Sequence, residues 1–142
     1  MKLSDVLDAK GWQTVTTSDA VSTAEAVKTM CDKHVGAVVV TRPDGAIAGI
    51  LTERDILRRF AEHGAKLGEI PVSAIMTRNV QTASPEALVE EVLGTMTQKR
   101  FRHMPVVKGG KFAGLVSIGD LVKAMLQEKV QEAESLRQYI AS

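Results

Sequence analysis

Apolar and polar positions follow the same order twice along this chain. Each half contains two short apolar runs separated by a turn with glycine, at 37–40 and 47–51 and again at 104–107 and 112–116. Short runs of this kind, bounded by turn residues, predict a β-hairpin in each half. The first hairpin contains Val38-Val39-Val40, and a strand this apolar predicts a sheet that is covered on both faces.

A helix is predicted on each side of both hairpins. The helix before the second hairpin has apolar residues at helical spacing, namely Leu88, Val92, Leu93 and Met96. Capping residues predict its start at Ser84, with Pro85 at the first helical position, and at Ser18 or Ser22 in the first half. Each half is therefore predicted to contain the order α-β-β-α, which makes the fold class α/β (α+β).

The elements recur because the sequence itself is duplicated. Residues 49–55, Gly-Ile-Leu-Thr-Glu-Arg-Asp, match residues 114–120, Gly-Leu-Val-Ser-Ile-Gly-Asp. Both read glycine, two aliphatic residues, a hydroxyl residue, two variable positions and aspartate. We call this pattern the signature. The helix after each hairpin is predicted to begin at Thr52 or Ser117. Because a unit of about 60 residues buries too little surface alone, we expect the copies to pack sheet against sheet around a pseudo-twofold axis.

The last helix is predicted to extend well past the second repeat, from Asp120 towards Tyr139. Its apolar face consists of Val122, Leu126, Val130, Ala133, Leu136 and Ile140. An amphipathic extension of this length predicts a partner surface. The predicted segments are 1–12 (N-terminal helical segment), 13–66 (first repeat), 67–78 (linker and start of the second repeat), 79–128 (second repeat) and 129–142 (C-terminal helix extension).

Composition excludes several classes of function. The net charge is +1 over 142 residues, which gives no basic field for nucleic acid. No apolar run approaches the roughly 20 residues of a membrane span. Three histidines and one cysteine form no cluster at metal-ligand spacing. The single cysteine indicates a reducing cytoplasm.

The doubled signature resembles that of the cystathionine-β-synthase (CBS) domain pair, or Bateman module. The resemblance implies that each repeat folds as β-α-β-β-α. The segment 74–77, Ala-Ile-Met-Thr, and the strand entry 101–106, Phe-Arg-His-Met-Pro-Val, add to this resemblance. More narrowly, residues 52–55, 101–103 and 117–120 make the chain similar to short, stand-alone bacterial CBS-pair proteins. For these the resemblance implies AMP or NAD(H) as ligand, with ATP as an alternative, and a homodimer.

The resemblance also implies two nucleotide clefts where the repeats meet. In each, the signature aspartate holds the ribose hydroxyls and the hydroxyl residue helps to hold ribose or phosphate, while the adenine lies between strand residues of the other repeat. The cleft of the second signature takes Ser117, Asp120, Thr16, Val21, Val35 and Gly36. The cleft of the first signature takes Thr52, Arg54, Asp55, Met76, Thr77, Val80 and Thr82.

The residues themselves leave two interpretations of the signature open. An ionised aspartate at a helix start can accept two hydrogen bonds from a cis-diol, and the helix N-terminus favours phosphate. The same aspartates stand three residues after Thr52 and Ser117, which is the spacing of a capping box. Arg102 and His103 are expected to bind phosphate. The first repeat has Gly36 and Ala37 at the equivalent positions, so the two clefts should differ in affinity.

These observations predict a non-catalytic sensor that binds an adenine nucleotide and acts through a protein partner or its oligomeric state. The alternative is a protein-interaction module with degenerate nucleotide sites. An enzyme is not expected, because the sequence has no nucleophile–base pair, no P-loop and no Gly-x-Gly-x-x-Gly fingerprint. The sequence leaves open which nucleotide binds, whether both clefts fill, and which partner or process responds.

Overall fold

The computed structural model describes residues 1–12 and 14–142; the predicted first residue of the first repeat, Gln13, lies outside them. The helices are α1 (Leu3–Lys10), α2 (Thr23–Lys33), α3 (Glu53–His63), α4 (Val72–Ile75), α5 (Val89–Lys99) and α6 (Ile118–Ala141), with a 3₁₀ helix at Gly64–Glu69. The strands are β1 (Thr16–Ser18), β2 (Ala37–Thr41), β3 (Ile47–Thr52), β4 (His103–Lys108) and β5 (Lys111–Ser117). The mixed α+β fold with a long C-terminal helix is as predicted.

Both predicted hairpins are confirmed, and their registers show the duplication. In the first repeat β2 pairs antiparallel with β3 and parallel with β1, in the order β1-β2-β3. In the second repeat β4 pairs antiparallel with β5. A single parallel bridge, Ala83 to Val106, occupies the place of β1. It repeats the pairing of Thr17 with Val40, so the two sheets have the same layout.

The hairpins pack against each other, as the apolar strands predicted. Val38 and Val40 face the core of the first repeat. On the other face of β2, Ala37 and Val39 join a separate cluster that includes Phe112 of the second hairpin. Burial on both faces explains why β2 has almost no polar residues.

The core of each repeat contains a helix from outside that repeat's own stretch of sequence. Helix α1 precedes the first repeat but packs in the second, and α4 follows the first repeat but packs in it. The core of the second repeat contains Leu3, Val6 and Leu7 of α1. The core of the first repeat contains Val72 and Ile75 of α4. The predicted segment 1–12 therefore packs with the second repeat, and most of the predicted linker 67–78 packs with the first.

The glycine that opens each signature permits this close packing. A Cβ atom at Gly114 would lie 2.9 Å from Leu7 Cδ1 of α1. A Cβ atom at Gly49 would lie 2.7 Å from both Met76 Sδ and the Thr77 carbonyl oxygen. Non-bonded carbon atoms normally stay about 3.5–4.0 Å apart. The first signature position is therefore explained by packing rather than by ligand contact.

The predicted helix start at Ser84 and Pro85 is wrong. Helix α5 begins at Val89, and its N-cap Leu88 provides no side-chain hydrogen bond. The chain before it stays non-helical because the Pro85 and Ala87 carbonyls accept hydrogen bonds from the first amides of α1. In the first repeat, the predicted Ser22 cap is confirmed, since its side chain accepts from the Glu25 amide at 3.2 Å.

Helix α6 extends beyond the fold with its predicted apolar face open. It has 24 residues, which corresponds to about 36 Å. Leu121 near its start is buried, whereas Leu126 and Leu136 are 61% and 60% exposed. Among the described residues, no helix combines the length and hydropathy needed to cross a membrane.

Candidate functional site

Asp120 is fixed at the start of α6 by a reciprocal capping box. Its Oδ2 accepts from the Ser117 amide at 2.9 Å, and its own amide donates to Ser117 Oγ at 3.1 Å. This geometry holds the carboxylate beside the positive end of a long helix. The structure therefore brings Asp120 and Ser117 together, as the sequence predicted.

A lysine that sequence analysis missed also contacts Asp120. Lys10, the last residue of α1, donates from Nζ to Asp120 Oδ2 at 2.6 Å and to the Leu115 carbonyl at 2.9 Å. The side chains of Lys10 and Asp120 are 40% and 26% exposed. Because the two residues are separated by 110 positions, no local motif could have linked them.

The pKa of Asp120 lies below its ordinary value. Burial alone would raise this pKa, but the hydrogen bond from Lys10 and those from Ser117 outweigh burial. Hydrogen bonds to a carboxylate favour the ionised form. Asp120 is therefore an anion throughout the physiological pH range.

Asp55 has the same position in the first repeat but a neutral neighbour. Its Oδ2 accepts from the amide and the hydroxyl of Thr52, both at 3.0 Å. Its Oδ1 accepts from Thr77 Oγ1 at 3.2 Å. Thr77 is held in place by two backbone hydrogen bonds with Ile50, each 2.9 Å long. The structure thus brings Thr52, Asp55 and Thr77 together.

His103 lies near the charges of both repeats. It pairs with Ser117 in the β4–β5 register. Burial lowers its pKa, the Lys10 charge lowers it further, and Asp120 and Glu53 oppose the shift. His103 is therefore neutral near pH 7. Its neighbour Arg102 has an exposed side chain.

The first repeat has an acidic side chain near its equivalent of Arg102. The Arg102 carbonyl accepts from the Ile118 amide at 2.8 Å, and the Gly36 carbonyl accepts from the Glu53 amide at 3.0 Å. A Cβ atom at Gly36 would lie 3.3 Å from the Glu53 carboxylate. The predicted asymmetry between Gly36 and Arg102 therefore includes Glu53, to which no sequence pattern pointed.

The remaining predicted site residues fall into two groups. Val21 and Val35 pack against the core of the first repeat, Met76 belongs to that core, and Val80 packs in the cluster between the sheets. The exposed group consists of Thr16, Arg54 and Thr82. In the described part of the chain, no three His, Cys, Asp or Glu side chains form a group that could hold a metal ion.

Comparison with known proteins identifies the class. The family profile described as CBS domain matches residues 13–62 and 72–127. The chain therefore belongs to the CBS-domain family, and it is a tandem CBS pair of the regulatory type.

Individual relatives align with most of this chain. The mitochondrial CBS domain-containing protein CBSX3 of Arabidopsis thaliana is 40% identical over 97% of this chain and 71% of its own length. The crystal structure of the CBS-domain protein ATU1752 from Agrobacterium tumefaciens has a TM-score of 0.85 and 42% identity, over 88% of this chain and 99% of that one. The CBS domain pair of protein MJ0100, solved with 5′-methylthioadenosine and S-adenosyl-L-methionine, has a TM-score of 0.78 and 25% identity, over 88% and 99%.

Proposed function

We propose that this CBS pair is a non-catalytic sensor that binds an adenine nucleotide at Asp120 and Asp55. One observation carries the proposal. Each signature aspartate is oriented at a helix start by a hydroxyl residue and receives a further donor from outside its repeat signature. A carboxylate placed in this way suits a ribose diol, and the helix N-terminus beside it suits a phosphate.

The relatives support the ligand class. The MJ0100 pair binds two adenosine derivatives, S-adenosyl-L-methionine and 5′-methylthioadenosine. Ribose and adenine are common to these molecules and to AMP, ATP and NAD(H). His103 stands near Asp120, and the positive, forked guanidinium of the neighbouring Arg102 favours the phosphorylated members of this group.

The response passes through helix packing or through a partner. The apolar face of α6 is exposed along its outer half, and a second copy of the chain would cover it in a homodimer. Nucleotide binding at the start of α6 can then shift this contact, provided that the ligand prefers one arrangement.

Thermal unfolding with AMP, ADP, ATP, NAD and NADH, each at about 1 mM, tests the proposal. A ligand at 100 times its dissociation constant stabilises the fold by about 2.7 kcal/mol, so the midpoint should rise by several degrees. Asp120→Asn should reduce the shift while preserving the helix cap. If no nucleotide changes the midpoint of the wild type, the proposal is wrong.

Asp5→Asn is the matched control for that experiment. Asp5 also stands at the third position of a helix, where its Oδ2 accepts from the Lys2 amide at 2.9 Å. It has the same capping role as Asp120 but lies outside both signatures. A ligand shift that falls equally in Asp5→Asn and Asp120→Asn would show that capping, not ribose binding, explains the effect.

The second candidate is a protein-interaction module with degenerate nucleotide sites. The ion pair of Lys10 with Asp120 favours this candidate. Lys10 Nζ lies 2.6 Å from Asp120 Oδ2 and already uses an acceptor that a ribose hydroxyl would need. In that case Lys10→Met would cost stability, and nucleotides would leave the unfolding midpoint of both proteins unchanged.

A further inference from the structure

The packing of α1 holds the backbone of Lys10 close to Asp120. Helix α1 is anchored by Leu3 and Leu7, which are fully buried in the core of the second repeat. The lysine then makes two hydrogen bonds, to Asp120 Oδ2 and to the Leu115 carbonyl. The helix and the two acceptors place Nζ beside Asp120, while the partly exposed side chain can still exchange one partner for another.

The lysine limits how Asp120 can bind a ribose. A carboxylate oxygen offers about two lone-pair sites, and Asp120 Oδ2 already receives the Ser117 amide and Lys10 Nζ. A cis-diol donates two hydrogen bonds. While Lys10 stays in place, Oδ1 alone must accept both hydrogen bonds, and the diol cannot bridge the two carboxylate oxygens.

A phosphate changes this arrangement. An anionic ligand competes with Asp120 for the lysine, because ammonium–phosphate hydrogen bonds are charge-assisted. A groove of about 900 Å³ between α1 and α6 is lined by both Lys10 and Asp120, so open space adjoins the ion pair. Once Lys10 turns to the phosphate, both carboxylate oxygens can accept from the diol.

Among its described residues, the first repeat has no cation paired with the signature aspartate. Asp55 forms no ion pair there, and its outside donor is the hydroxyl of Thr77. A hydroxyl can rotate to accept instead of donate. The nearby carboxylate of Glu53 adds negative charge rather than positive.

We propose that Lys10 is the specificity-determining residue that makes the Asp120 cleft select phosphorylated adenosine ligands over uncharged ones. The inference rests on the proposed function. It predicts opposite effects on two ligands that differ only by a phosphate: removal of Lys10 weakens AMP binding and strengthens adenosine binding.

Isothermal titration calorimetry with AMP and adenosine tests this. The titrations use the Asp55→Asn background, so that the measured affinities are those of the Asp120 cleft. Lys10→Met should lower the preference for AMP over adenosine by tenfold or more, because a hydrogen bond to a charged group contributes about that much. Lys10→Arg should retain the preference. Lys123→Met removes the same charge from the same groove and should leave the preference unchanged.

The outcomes separate the two proposals. Suppose that AMP binds the wild type and that Lys10→Met leaves the ratio of AMP affinity to adenosine affinity unchanged. The specificity role is then wrong and the sensor function stands. If neither ligand binds the wild type, the sensor function is wrong and the specificity role is excluded with it. Unfolding midpoints confirm that each variant is folded; because the ion pair is partly exposed, its loss should change the midpoint only slightly. Lys10→Gln provides a second neutral variant.

Discussion

The two signature glycines allow a sharp test of the packing, because one substitution meets different atoms in the two repeats. In Gly49→Ala the new methyl group would lie 2.7 Å from the Thr77 carbonyl oxygen and from Met76 Sδ. In Gly114→Ala it would lie 2.9 Å and 3.1 Å from the two terminal methyl groups of Leu7. The first clash involves backbone, whereas the second involves the end of a flexible side chain.

The free energies of unfolding should differ accordingly. The Thr77 carbonyl is bound by the Ile50 amide at 2.9 Å, so it cannot retreat without losing a hydrogen bond. Overpacking of this kind costs about 1–3 kcal/mol. Leu7 can change rotamer, and alanine restricts the unfolded chain by roughly 0.4–1 kcal/mol relative to glycine. We therefore expect Gly49→Ala to be destabilised by about 1–3 kcal/mol and Gly114→Ala by less than about 1 kcal/mol.

Urea denaturation provides the assay, with Gly94→Ala as the control. Gly94 lies within α5, and a Cβ atom there would have no neighbour within 4 Å. Gly94→Ala should therefore stabilise the protein by about 1 kcal/mol. With a slope of about 2 kcal/mol per molar urea, the midpoint of Gly49→Ala should fall by roughly 0.5–1.5 M. Equal midpoints for Gly49→Ala and Gly114→Ala would refute the role given to the Thr77 carbonyl.

Three further predictions concern other parts of the molecule. The pKa of His103 is lowered from 6.5, so its contribution to stability is complete above pH 6.5 and is lost as pH falls below that value; His103→Gln should flatten this acid-side loss in pH-dependent urea titrations. Leu88→Ser should install the cap that α5 lacks and raise the unfolding free energy by about 0.5–1 kcal/mol, whereas Ser22→Ala should lower it by about 1 kcal/mol; thermal melts that show the reverse order would contradict the cap assignment. Leu126→Lys should convert a homodimer to a monomer in sedimentation at micromolar concentration without unfolding it, because Leu126 is 61% exposed; a wild-type monomer would exclude the dimer.

Elements governed by local pattern were predictable from the sequence. The hairpins at 37–52 and 103–117 follow from apolar runs bounded by turns, and the starts of α3 and α6 follow from capping boxes at Thr52 and Ser117. The start of α5 was not predictable, because Ser84 and Pro85 resemble a helix start. Backbone pairing with α1 holds that segment out of the helix.

The surroundings of the candidate site could be predicted only in part. The pairs Ser117–Asp120 and Thr52–Asp55 follow from spacing, since each lies within one helix turn. Lys10 reaches Asp120 because α1 packs with the second repeat rather than with the first. That placement depends on contacts between distant parts of the chain, which periodicity does not record. The ligand roles of the site residues stay predictions.

The exchange of α1 and α4 between the repeats has a consequence for how the molecule unfolds. A fragment that ends near Gly64 would lack α4, which fills the core of the first repeat. The complementary fragment would lack α1, which fills the core of the second. The two halves are interlocked rather than joined end to end. We therefore expect them to unfold in one cooperative transition, with equal calorimetric and van't Hoff enthalpies, so that damage to either repeat destabilises both.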